Sequence, residues 1–71
     1  MKVNLTKVQQ LIDDGMTLAE FAEVLTERGK EGPVHYTTIS LALRRGTVSK
    51  RVARAISKAL NIPMQKLRSV A

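Results

Sequence analysis

Apolar positions recur every three to four residues along most of this chain, a spacing that predicts helices separated by short polar breaks. Leu5, Val8, Leu11 and Ile12 share one stripe of a first helix over residues 6–14, which Gly15 ends as a left-handed cap. Thr17-Leu18-Ala19-Glu20 is a capping box that opens a second helix, running to about residue 28. There the Thr17 hydroxyl accepts from an early amide while Glu20 reaches back, and Leu18, Phe21, Ala22 and Leu25 face inward.

Gly29-Lys30-Glu31-Gly32-Pro33 is the clear break, because its glycines and proline disfavour continued helix and permit positive φ. It reads as a loop inside one domain, not a linker. A third helix over residues 36–45 turns Ile39, Ala42 and Leu43 inward, keeps Tyr36 at its edge and stops at Gly46. Ser49 caps a fourth helix over residues 50–60, whose Val52, Ala55, Ile56, Ala59 and Leu60 fit the i, i+3, i+4, i+7, i+8 pattern. Asn61 ends it in the left-handed region, and Pro63 starts a short final turn over residues 64–68. With no repeat, low-complexity tract or useful strand candidate, the expected fold is all-α, one domain over residues 1–71.

Charge changes this picture from a fold to a partner. The chain holds 12 Lys+Arg against 6 Asp+Glu, a net +6, and the signs are segregated. Residues 1–31 carry all six acids and four bases, a net −2, whereas the rest carries eight bases and no acid, a net +8. A surface of one sign repels itself unless an anionic partner neutralises it, which points to nucleic acid. A merely solvated basic face is the plain alternative. An anionic membrane surface would favour aromatic residues beside the bases, and Phe21 and Tyr36 are the one Phe and one Tyr in a chain without Trp.

Seventy-one residues bury one core without also walling off a deep substrate cleft, so function is expected on the outer surface rather than in an enzyme active site. No cysteine supplies a disulfide or thiolate site, no glycine-rich phosphate loop is present, and His35 is the lone histidine. No metal, cofactor or small-molecule ligand is therefore expected, and Asp13 and Asp14 read as surface carboxylates at a helix end. Without an apolar run of signal-peptide length or of the roughly 18 to 20 residues a membrane span needs, the expected location is the cytoplasm, with no membrane partner.

The informative surface is the outer face of the third helix. With Ile39 at the core centre and about 100° per residue, Thr37, Leu41 and Arg44 point away from the core, flanked by Thr38, Ser40 and Arg45. Hydroxyls donate or accept at base edges, arginine pairs bidentately with guanine, and leucine rests on thymine methyls. Leu41 reads equally as a surface residue or part of a protein interface.

Gly15-Met16-Thr17-Leu18-Ala19-Glu20-Phe21-Ala22, then Thr38-Ile39-Ser40, Gly46, and Ala55-Ile56-Ser57-Lys58-Ala59-Leu60-Asn61-Ile62-Pro63 together resemble the Cro/phage-repressor (XRE-like) helix-turn-helix family. The resemblance covers roughly residues 5–68. Tyr36 to Gly46 is similar to that family's recognition helix, with inward Ile39, small Ala42 three residues on and Gly46 seven on. It implies a compact four- to five-helix lambda-repressor-like helix-turn-helix domain, base contacts from Tyr36, Thr37 and Leu41, and a phosphate contact from His35. The outward angle adds Ser40 and Arg44 to the base readers, and Thr38 and Arg45 to the phosphate contacts.

Two departures accompany it. Leu18 stands where the family commonly has a phosphate-bound glutamine, leaving the amides at Thr17 to bind phosphate, and residues 26–33 replace a single glycine, as in some recombinase DNA-binding domains. Lys30 at the tip of that long turn can reach the backbone, as can Lys50 and Arg51 at the start of the fourth helix, while Arg54 and Lys58 read equally as solvated. Met64, Leu67 and Val70 form an apolar set read as a dimer face or as a cap on the core.

The expected function is a sequence-specific regulator of transcription, a bacterial or prophage Cro-like repressor binding double-stranded DNA as a homodimer on a palindromic operator. Two other readings compete: an antitoxin or anti-regulator that uses the same fold to bind protein, and an excisionase-like architectural DNA-binding protein.

Overall fold

Helices α1 (Thr6–Asp13), α2 (Leu18–Gly29), α3 (Tyr36–Arg45), α4 (Lys50–Leu60) and α5 (Met64–Leu67) form the structure, a computed structural model that describes residues 1–68. The all-α class expected from the periodicity is what is found, with helix ends within a residue or two of their expected places. α2 packs against both α3 and α4, and α4 in turn against α5. Phe21 and Leu25 of α2, Ile39 and Ala42 of α3, and Val52, Ala55 and Ile56 of α4 fill the core between them, joined by Val8 of α1.

The caps follow the local sequence. At the end of α1 the Gly15 amide donates to the Ile12 carbonyl at 3.0 Å and the Met16 amide to that of Leu11 at 3.1 Å, with Gly15 at φ 113°. This paired bonding satisfies carbonyls that the helix itself leaves open. Thr17 and Glu20 form the expected reciprocal box, and the Ser49 hydroxyl accepts from the Val52 amide at 3.3 Å. Asn61 closes α4 at φ 54°.

Gly29 does not play the turn role expected of it. It is the buried last residue of α2, and the left-handed residue that follows is Lys30, at φ 53°. The reason is steric, since the absent side chain at position 29 lets α2 approach the α4 backbone at Ala55. The chain then reverses through Gly32, at φ 94°.

A second difference is at the N-terminus. Lys2 pairs with Thr47 and Val3 with Arg68 as single antiparallel bridges, and the Val3 amide donates to the Gly46 carbonyl at 3.0 Å, the Asn4 amide to that of Leu67 at 2.7 Å. This segment ties the α3–α4 connection to α5, with Val3 and Val48 buried beneath it. Two paired residues are too few for an alternating pattern to announce them.

Leu67 is 1% exposed and belongs to the core of its own chain, so of the two expected roles it caps the core and does not form a dimer face. Met64 is half-buried against the same core, and Val70 lies outside the described residues.

Candidate nucleic-acid interface

α3 is set by its two ends. His35 caps it by accepting the Thr37 amide on Nδ1 at 3.3 Å, with the Thr37 hydroxyl 2.9 Å from the same nitrogen. Because Nδ1 accepts, the neutral ring carries its hydrogen on Nε2, and that N–H is the donor His35 can offer a phosphate. Tyr36 lies with its ring centroid 4.5 Å from that of His35, tilted by 34°. At the other end Gly46 takes φ 71° and donates its amide to Ala42.

Between those ends the outward row is exposed. Thr37, Leu41 and Arg44 face solvent, Leu41 at 42% and Tyr36 at 48%, while Thr38 and Ser40 are half-buried on the flanks. Leu41 and Tyr36 are two of the three large hydrophobic residues exposed among the described residues. Arg45 and Thr38 join Leu41, Thr47 and Ser49 along a shallow groove that continues from α3 into the α3–α4 connection. One exposed surface therefore gathers Tyr36, Thr37, Leu41 and Arg44 with the flanking Thr38, Ser40 and Arg45.

Thr17 is engaged in the cap of α2. Its amide donates to Glu20 Oε1 at 3.1 Å and its hydroxyl accepts from the Glu20 amide at 3.1 Å. The Glu20 carboxylate thus takes the Thr17 amide, one of the groups expected to bind phosphate. The Thr17 amide beside Glu20, reinforced by the Thr17 hydroxyl, holds the Glu20 carboxyl below its ordinary value.

Arg51 is also engaged within the chain. One terminal nitrogen of its guanidinium donates to the carbonyls of Glu31 and Pro33, at 2.9 and 3.0 Å, and so staples the long turn to α4. Lys58 supports the same turn through Glu31, at 3.5 Å, the one ion pair among the described residues. On the other side of the turn the Thr26 hydroxyl donates to the Ala22 carbonyl at 2.9 Å and accepts the Val34 amide at 3.0 Å. Lys30 remains exposed at the start of the turn.

The remaining bases of α4 point elsewhere. At about 100° per residue Arg54 is turned about 40° from Lys50, whereas Lys58 and Arg51 lie about 80° and 100° away, toward the turn. Lys50 and Arg54 line a cleft of about 480 Å³ with Met1, Lys2, Met64 and Arg68. Lys2 and Arg68 carried no signal in the sequence, because the backbone bridges of the N-terminal segment, not a helical period, bring them to α4.

Among the described residues no helix is long and apolar enough to cross a membrane, and no three His, Cys, Asp or Glu side chains group as metal ligands would. Compared with protein-family models, with curated proteins and with solved structures, the chain matches none.

Proposed function

We propose that this chain binds double-stranded DNA through α3 and acts as a sequence-specific regulator of transcription, of the Cro-like repressor kind. The observation that carries this reading is the exposed row Thr37, Leu41 and Arg44 on a short helix whose opposite face, Ile39 and Ala42, is anchored in the core. Such a helix presents hydroxyl, methyl and guanidinium groups to base edges at a fixed angle. Arg45, Lys50 and the His35 ring supply flanking phosphate contacts, which fix register and make binding salt-dependent.

One recognition helix per chain reads too few base pairs to separate an operator from random DNA, so the functional unit is a homodimer on a near-palindrome with half-sites about one helical turn apart. Leu67 lies in the core and so adds nothing to the surface of that dimer.

The test is selection from random duplexes at two salt concentrations, followed by sequencing. A near-palindrome recovered with weaker binding at the higher salt supports the reading. Sequence-blind binding alone overturns it. The exposed Tyr36 and Leu41 favour the second reading, a protein-binding antitoxin or anti-regulator that uses the same face.

A further inference from the structure

We infer that the cleft between the N-terminal segment, the start of α4 and α5 holds a stretch of the duplex sugar-phosphate backbone, next to the segment read by α3. This rests on the reading of α3 as the DNA-binding helix. Three separate stretches of chain bring Lys2, Lys50, Arg54 and Arg68 to one cleft, and no acid lines it. Four like charges converging there raise the cost of the compact state unless an anion neutralises them.

The division of labour along α4 sharpens the assignment. Arg51 and Lys58 are engaged with the turn at residues 31–33, whereas Lys50 and Arg54 are rotated away from it into the cleft. A folding role thus accounts for the first pair, and the second pair has a cleft with space in it. Met1 and Met64 add apolar surface beside the cations. A phosphodiester backbone presents the matching combination of charged phosphate and sugar carbon, which a bare inorganic ion lacks.

Continuity selects the occupant. Lys2 is bridged through the backbone to Thr47, and Thr47 shares the shallow groove with Leu41 and Arg45 of α3. A strand leaving the base-reading row therefore passes along Thr47 to the cleft without crossing an acidic surface. The cleft widens the footprint of each chain and adds affinity without sequence preference.

The test compares the wild type with K2Q/R54Q/R68Q and with K7Q/R28Q/K66Q, a charge-matched control whose residues lie outside the cleft. Duplex affinity is measured over a salt series on selected and random sequences, with thermal midpoints as a check on folding and single R54Q as a milder substitution. The cleft variant is expected to lose about one unit of log–log salt slope per phosphate contact removed, equally on both sequences, while the control keeps the wild-type slope.

An unchanged slope in both cleft variants, or an equal loss in the control, overturns the inference while leaving the α3 reading in place. A wild type that binds no duplex overturns the α3 reading and the cleft assignment together. If in that case tripolyphosphate shifts the amide resonances of Lys2, Lys50, Arg54 and Arg68, the cleft takes a soluble polyphosphate instead of a duplex.

Discussion

Gly29 and Ala55 approach so closely that a β-carbon at position 29 would sit 2.7 Å from both the α- and β-carbons of Ala55. The last turn of α2 is thereby pressed against the backbone of α4. Because α3 follows directly after the turn, this crossing also sets where the outward row of α3 stands relative to Lys50 and Arg54.

The contact makes Gly29→Ala a test with a definite sign. At an ordinary helical glycine, alanine stabilises by up to about 1 kcal/mol. Here the added methyl meets backbone as well as side chain, so the helices must separate, at a cost of about 1–3 kcal/mol. Urea unfolding of the variant should show a lower midpoint, and a midpoint equal to or above the wild type would show that the crossing yields without strain.

Helices α2, α3 and α4 were legible in the sequence because their apolar positions share a face and their ends are marked locally: Thr17 with Glu20, Ser49, Gly46 and Asn61 all act where their residue types suggest. What was not legible depends on partners distant along the chain. Gly29 looks like a turn residue until Ala55 is placed against it, and Leu67 reads as either a dimer face or a cap on the core until the Asn4 amide binds its carbonyl and its side chain is seen buried. The same holds for the α3 surroundings. Helical angle picked out Thr37, Leu41 and Arg44, whereas nothing local distinguishes Arg51, bound to the turn, from Arg54, facing the cleft.

Arg51→Ala should loosen the turn before it touches DNA binding. Two charge-assisted hydrogen bonds to the Glu31 and Pro33 carbonyls would be lost, at a cost of about 1 kcal/mol for so exposed a pair. The Val34 amide, held by the Thr26 hydroxyl at the far side of the turn, is the reporter. Its hydrogen exchange should accelerate in the variant without DNA present, and unaltered exchange would return Arg51 to the role of a phosphate contact.

His35→Ala removes the α3 cap and should cost about 0.5–2 kcal/mol of stability, whereas His35→Asn restores an acceptor for the Thr37 amide and most of that loss. The two variants separate folding from recognition. Both lack the imidazole, so duplex affinity corrected for folding should fall in both if Nε2 serves a phosphate, and in neither if His35 only caps the helix.

Glu20 gives the start of α2 a pH dependence of known sign. Its carboxyl is held below its ordinary value of 4.5 by the Thr17 amide and then the Thr17 hydroxyl. The charged form is thus favoured by folding, so its contribution is full above 4.5 and is lost as the pH falls through the lowered folded-state value. Carboxyl titration by NMR should follow this course together with fraying at the amides of Thr17 and Glu20. Glu20→Gln, which keeps an acceptor but does not titrate, should abolish that fraying.

Arg44 and Arg45 are neighbours in sequence with different tasks in the proposed complex. Arg44 points away from the core beside Thr37 and Leu41, and Arg45 lines the flanking groove with Thr38 and Thr47. Arg44→Ala should therefore cost about 1–3 kcal/mol on the selected duplex, through a lost bidentate base contact, and far less on random DNA. Arg45→Ala should weaken binding to both duplexes alike and lower the salt slope by about one unit. If Arg44→Ala instead weakens both duplexes equally, Arg44 holds phosphate, and sequence readout rests with Thr37, Ser40 and Leu41.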